Sequence, residues 1–217
     1  MEVHNLSKGQ VVERMQGIGN PLLTGISALN KTTINEAVFL ASLIRERFPS
    51  THITLGGHLA TFAHENILGK YSFIDSIVRG EGESTLVDLC EALNSHQDLN
   101  AVSGISFRNG ANVVSNSSRK PIENLDSIPF PLRYNINDIR DARQYVVVSS
   151  SRGCQGGCSF CSLVGFNKKW RARSPVNLVD EIQELYEKGV RRISFEDENF
   201  LGHVEGGRDR ALEFSRE

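Results

Sequence analysis

Cys154, Cys158 and Cys161 lie within eight residues of one another in the run Ser-Arg-Gly-Cys-Gln-Gly-Gly-Cys-Ser-Phe-Cys, and they are three of only four cysteines in the 217-residue chain. Thiolates this close together on a Gly-rich loop suit a metal centre better than a hydrophobic core. Three of them leave a tetrahedral or cubane site one ligand short, and an open coordination position is where chemistry can happen. A structural zinc site is normally closed by a fourth Cys or His, often as a second Cys-x-x-Cys pair. No second pair occurs, and the only histidine downstream is His203. Cys-x3-Cys-x2-Cys therefore points to an iron–sulfur cluster with one iron left free, and a zinc-binding module is the weaker reading.

Two other sets of residues bear on function. Gly25-Ile26-Ser27, Gly56-Gly57-His58-Leu59-Ala60-Thr61 and Gly80-Glu81-Gly82-Glu83 each follow a short apolar run. Three Gly-rich strand ends on one side of a doubly wound sheet describe a ligand crevice, because glycine lets a ligand approach the backbone closely. Alone, Gly56-Gly57 would read as a plain tight turn. Glu196-Asp197-Glu198-Asn199 follows Ile193-Ser194-Phe195. It is either a solvated acidic loop or a set of acids at the active end of a barrel strand.

The elements that position these residues alternate. Strands are expected at 22–27, 52–55 and 76–78, with helices at 34–48, 60–68 and from a cap at Ser84. Ile34, Ala37, Val38, Ala41, Ile44 and Phe48 carry the first helical period. A hairpin turns at Asn109-Gly110. Pro121, Pro129 and Pro131 mark a linker over 121–144. A second unit then runs from strand 145–150 through the cysteine loop and a helix at 175–188 with Val176, Val179, Ile182 and Leu185 inward. Strand 191–195 and a helix from about Arg208 follow. The fold class is α/β: a doubly wound, Rossmann-like parallel sheet over 1–120, then the first βα units of a partial (β/α) barrel over 145–217. Cys90 is expected in the core with Leu86, Leu89 and Leu93; His52 and His96 receive no site. Trp170 with Lys168, Lys169, Arg171 and Arg173 reads as a solvated loop, or as contacts to a cofactor held by the cysteine loop or to the neighbouring domain.

The cysteine run matches the radical S-adenosylmethionine (SAM) superfamily and resembles it down to the aromatic Phe160 before the third cysteine; Gln155 stands where many members have Pro. The resemblance implies that Cys154, Cys158 and Cys161 hold a 4Fe-4S cluster whose free iron binds SAM. Phe160 would lie near the adenine, and Glu196 and Asp197 would bind the SAM amino group. The upstream glycine runs and Leu125-Asp126-Ser127-Ile128-Pro129-Phe130-Pro131 resemble the cobalamin-binding subclass. That resemblance implies cobalamin at Gly25, Ser27, Gly56, Gly57, Thr61, Gly80, Glu81, Gly82 and Glu83. His58 falls one position early for the subclass pattern and receives no firm role. No Asp-x-His-x-x-Gly pattern is present, and His4 is too near the terminus to count, so the implied cobalamin has no histidine ligand.

The implied reaction is methyl transfer to an unactivated carbon through a 5′-deoxyadenosyl radical, with oxidative cyclisation or rearrangement as the alternative. Family members have a strand and helix before this segment and about four more βα units after it. A non-catalytic fragment or split subunit is therefore a further reading, with an apolar barrel edge that a partner chain would cover. Expected partners are a small-molecule or peptide substrate and an electron donor such as flavodoxin or ferredoxin. Lys+Arg 24 against Asp+Glu 26 leaves no basic field for nucleic acid. No apolar run approaches the roughly 18 residues of a membrane helix, and no signal peptide opens the chain, so a cytoplasmic protein is expected.

Overall fold

The computed structural model describes residues 7–17, 19–133, 136–137, 145–166, 169–202 and 206–216. His4, Lys168, His203 and positions 134–135 and 138–144 of the expected linker lie outside them. The described residues form two compact units that divide between Pro121 and Ile122.

In the first unit, β1 (Leu23–Ser27), β2 (His52–Gly56) and β3 (Ser76–Val78) are parallel neighbours. The hairpin β4 (Ile105–Asn109) and β5 (Asn112–Ser115) adds two antiparallel strands beyond β3, in the order β1-β2-β3-β4-β5. Gly110, at φ +60°, supplies the left-handed turn between them. The sheet is mixed rather than wholly parallel, because a two-residue turn can only reverse the chain.

Both faces are covered. Helices α1 (Lys8–Gln16), α2 (Lys31–Arg47), α3 (His58–Phe62) and α4 (His64–Lys70) lie on one face, over a core that includes Ala41, Ile44, Ile53, Leu55, Leu68 and Ile77. Helix α5 (Glu83–Asn94) covers the other, with Leu89 and Ala92 against Val78, Ile105 and Phe107. The alternation along β2 explains the split: Ile53 and Leu55 face α2, while Thr54 faces away and accepts from the Ser76 hydroxyl at 2.9 Å.

Several boundaries differ from the expectation. Helix α2 starts upstream of Ile34 because Asn30 caps it, accepting from Thr32 N (2.9 Å) and Thr33 N (3.1 Å). The helix expected over 60–68 is two short helices that meet at Ala63, which closes α3 and opens α4. Ser84 lies inside α5 rather than at its cap; Gly82 holds that position without a side-chain bond. Helix α5 buries Thr85, Leu89 and Ala92, leaving Leu86 exposed and Cys90 at the margin rather than in the core.

In the second unit, β6 (Val146–Val148) pairs in parallel with β9 (Ile193–Phe195), connected through α7 (Pro175–Glu187). Between β6 and α7 the chain makes a separate excursion. Ser151–Arg152 (β7) pairs antiparallel with Arg171–Ala172 (β8), closing the base of the cysteine loop, which carries the short helix α6 (Leu163–Phe166). Helix α8 (Gly207–Phe214) follows β9. Val146 and Val148 pack on Leu178, Leu185 and Val190.

The inward stripe of α7 is Leu178, Glu181 and Leu185, and Val176 is exposed. Of the expected stripe, Leu185 is buried and Ile182 packs against the core, while an ion network brings Glu181 in as well. Glu181, 2% exposed, pairs with Arg133 (2.7 Å) and with Arg173. The same two guanidinium groups donate to the outer-edge carbonyls of β6, Arg133 to Val147 O (2.9 Å) and Arg173 to Ser149 O (3.2 Å). Two carbonyls on the outer edge of β6 are therefore capped by the chain's own cations. The described part of the expected linker belongs to this unit as well: Asp126 accepts from Ser174 N (2.9 Å) and Phe130 lies under Arg173 (5.2 Å).

Candidate functional site

The three thiols stand on the loop between β7 and β8. Cys154 and Cys161 are half-buried and Cys158 is exposed. Gly156 lies between two of them: a Cβ there would come 3.3 Å from Cys154 Sγ and 3.8 Å from Cys158 Sγ. Its N–H donates to Cys154 Sγ at 3.4 Å, the kind of amide–sulfur bond that tunes a cluster. Cys161 N donates to Cys158 O (3.1 Å), a turn that sets the last two cysteines on one bend. Among the described residues, no three His, Cys, Asp or Glu side chains already converge as a metal site. Bringing three thiolates together is unfavourable until a metal offsets their repulsion. The donor set and the open space at Gly157, where a Cβ would meet nothing within 4 Å, fit a cluster added to the loop. Phe160, 91% exposed, projects from the same bend.

The acids after β9 hold the start of this loop. Asp197 accepts from Ser150 N (2.8 Å), Ser150 Oγ (3.0 Å), Ser151 Oγ (3.0 Å) and Ser151 N. Glu198 accepts from Gly153 N (2.9 Å). Asp197 is thus engaged with the chain itself. Glu196 is exposed, and its carboxylate bonds to no other described residue. Sequence reasoning missed the roles of Ser150, Ser151 and Glu198; nothing in the spacing of Ser150 and Ser151 from Asp197, or of Gly153 from Glu198, signals contacts 45 to 47 residues apart.

Trp170 is not a solvated side chain. Its Nε1 donates to Asn199 O (2.7 Å), and Gly202 packs against its ring, where a Cβ would come within 2.7 Å. Arg210 stacks on Trp170 and Phe200 and donates to Ser150 O (2.9 Å) and Arg173 O (2.8 Å). Burial pulls the Arg210 guanidinium below its ordinary value, opposed by the charge of Asp197. Arg171 and Arg173 are buried, so two of the four cations of the basic run point into the unit.

In the first unit, the Gly-rich ends meet at one end of the sheet. Ser27 pairs with Gly56 in register, and Ala28 N donates to Gly56 O (2.7 Å). Gly57 takes φ +99°, and a Cβ there would come 3.1 Å from both Ala28 O and Leu29 Cδ2. Thr61 accepts from Gly80 N (3.0 Å), linking the ends of β2 and β3. Glu81 and Gly82 lead directly into α5, whose first residue is Glu83. Gly25 and Ser27 are exposed on β1, so a strip of this face carries no covering side chain. An exposed strip bearing only the small side chain of Ser27, beside three joined Gly-rich turns, fits a large, flat ligand. His58 opens α3.

The B12 binding domain family matches residues 1–90. Over 201 residues the chain is 35% identical to the anaerobic magnesium-protoporphyrin IX monomethyl ester cyclase of Synechocystis, covering 89% of this chain and 40% of that protein. It is 28% identical over 199 residues to the cobalamin-dependent radical SAM methyltransferase TokK of Streptomyces tokunonensis, covering 88% of this chain and 29% of that protein. The cobalamin-dependent SAM radical enzyme OxsB, solved with aqua-cobalamin and SAM bound, superposes with a TM-score of 0.84 at 23% identity; the match covers 98% of this chain and 30% of OxsB. The chain spans 40% or less of the length of each of these proteins.

Proposed function

We propose that the chain belongs to the cobalamin-binding radical SAM family and carries the cofactor-binding portion of an enzyme that methylates an unactivated carbon. The observation that carries this reading is the clamped Cys-x3-Cys-x2-Cys loop, in one chain with a B12-binding sheet whose Gly-rich ends are joined. Cys154, Cys158 and Cys161 hold a 4Fe-4S cluster in this proposal. Phe160 covers the adenine of SAM, and Glu196, an exposed acid of this turn, takes the SAM amino group. Gly25, Ser27, Gly56, Gly57, Thr61, Gly80, Glu81, Gly82 and Glu83 line the cobalamin site. When bound, these groups supply the reducing electron, the radical source and the methyl carrier. The protein's part is to orient them and keep water away. The proposal includes a small-molecule or peptide substrate and an electron donor of the flavodoxin or ferredoxin class.

Cyclisation is the second reading, favoured by the 35% identity to a cyclase. Among the described residues, no helix is long and apolar enough to cross a membrane, which agrees with a proposed cytoplasmic site of action.

Anaerobic reconstitution with iron and sulfide tests the proposal. About four irons per chain are expected, and zinc without iron sinks it. Dithionite with SAM should then yield 5′-deoxyadenosine from the full-length protein. Hydroxocobalamin should bind without an imidazole nitrogen ligand in the electron paramagnetic resonance spectrum of the cob(II)alamin form.

A further inference from the structure

The acidic turn after β9 directs two of its carboxylates into the chain. Asp197 receives two backbone N–H groups and two hydroxyls from Ser150 and Ser151, and Glu198 receives Gly153 N–H. These donors occupy 150–153, the residues that lead into Cys154. The opposite side of the same stretch is held by β8, through Ser151↔Ala172 and Arg152↔Arg171, and by Arg210 at Ser150 O. These backbone anchors therefore hold the first cysteine from its N-terminal side. Beyond Cys154, the described loop offers Gly156 N–H to Sγ and the turn at Cys158–Cys161.

We infer that Asp197 is a positioning residue for the iron–sulfur cluster: it fixes the approach to Cys154, with Glu198 assisting at Gly153, and it does not touch SAM. The inference rests on the cluster reading above. Charge-assisted bonds to two consecutive amides hold a backbone more firmly than neutral ones. The clamp also couples the end of β9 to the loop after β6, so the acid proposed to meet SAM and the cysteines are set by one short segment, Glu196–Glu198.

The full chain, reconstituted anaerobically, tests this with Asp197→Asn, the double variant Ser150→Ala/Ser151→Ala, and Glu196→Gln. Trp170, the only tryptophan, reports by fluorescence whether the second unit is folded. The readouts are iron loss to a chelator and the electron paramagnetic resonance spectrum of the reduced cluster with and without SAM. Outer partners of metal ligands typically carry about tenfold to hundredfold in metal retention. Asp197→Asn and the serine pair are expected to lose iron on the order of tenfold faster than wild type, with an altered spectrum before SAM is added. Glu196→Gln should retain iron normally and lose only the SAM-induced change. The serine pair buries no unpaired charge, and it carries the test if Asp197→Asn loses the Trp170 signal. Wild-type retention and spectrum in a folded Asp197→Asn or serine-pair variant overturn the clamp while leaving the cluster reading standing. A wild-type chain that takes up no iron overturns the cluster reading itself.

Discussion

Each thiol is expected to be indispensable for iron uptake, because a cluster held by three protein ligands has no spare one. Cys154→Ala, Cys158→Ala and Cys161→Ala should each reduce bound iron by about tenfold or more, while Cys90→Ala, at the margin of α5, should not. Iron and sulfide assays on the reconstituted variants decide this. Gly57 is a different kind of constraint. At φ +99° and with Ala28 O 3.1 Å from a virtual Cβ, Gly57→Ala should cost about 1–3 kcal/mol in denaturant unfolding and weaken hydroxocobalamin binding; unchanged values for both would show that the turn relaxes freely. His52 and His64 report on pH. Burial pushes both below the ordinary value, opposed at His52 by Asp75 and reinforced at His64 by Arg79. Each binds its proton more weakly folded than unfolded. Their contribution to stability is complete above the unfolded value of about 6.5 and is lost as pH falls through the folded value. Melting curves of the first unit should shift down on acidification below about pH 6.5. The shift should shrink in His52→Gln/His64→Gln, and an equal shift in that variant would remove the histidines as its cause.

At the scale of elements, the edge of β6 depends on an ion triad rather than on another strand. Glu181 is buried between Arg133 and Arg173, and those two arginines cap Val147 O and Ser149 O. Removing the acid leaves two guanidinium groups without their shared partner. Glu181→Ala should therefore destabilise the second unit by about 3–5 kcal/mol, read from Trp170 fluorescence in urea, and a loss under 1 kcal/mol would show that water replaces the carboxylate. The triad also explains which element boundaries were readable. Period-3.6 reasoning located α7 and its end at Gly189, because Leu185 repeats with the apolar residues before it. It left Glu181 out of the inward stripe, since periodicity counts a glutamate as outward unless a partner is known, and both arginines lie outside the helix. In the same way, Asn30 was missed as the α2 cap because the apolar period begins only at Ile34. The two-helix break at Ala63 carries no Gly or Pro to announce it.

The whole chain contains two units with different ligands proposed for each. Hydroxocobalamin at a hundredfold excess over its Kd should stabilise the first unit by about 2.7 kcal/mol and leave the Trp170 transition unmoved. A shift of both transitions, or of neither, would contradict a site confined to the Gly-rich strand ends.

The chemistry was largely legible in the residues. Cysteine spacing is local and covalent, and a metal reads ligand type before it reads fold. The glycine runs were legible for a similar reason: positive φ and close backbone approach exclude most other residues. The alternating strands and helices followed from period and turn residues within short windows. What only the tertiary structure decided are contacts between residues far apart in the chain. Asp197 and Glu198 reach across more than forty residues to clamp 150–153, and Glu181 reaches Arg133 across 48. A carboxylate bears the same charge whether it faces solvent, a ligand or the chain's own amides; the fold determines which of these it meets.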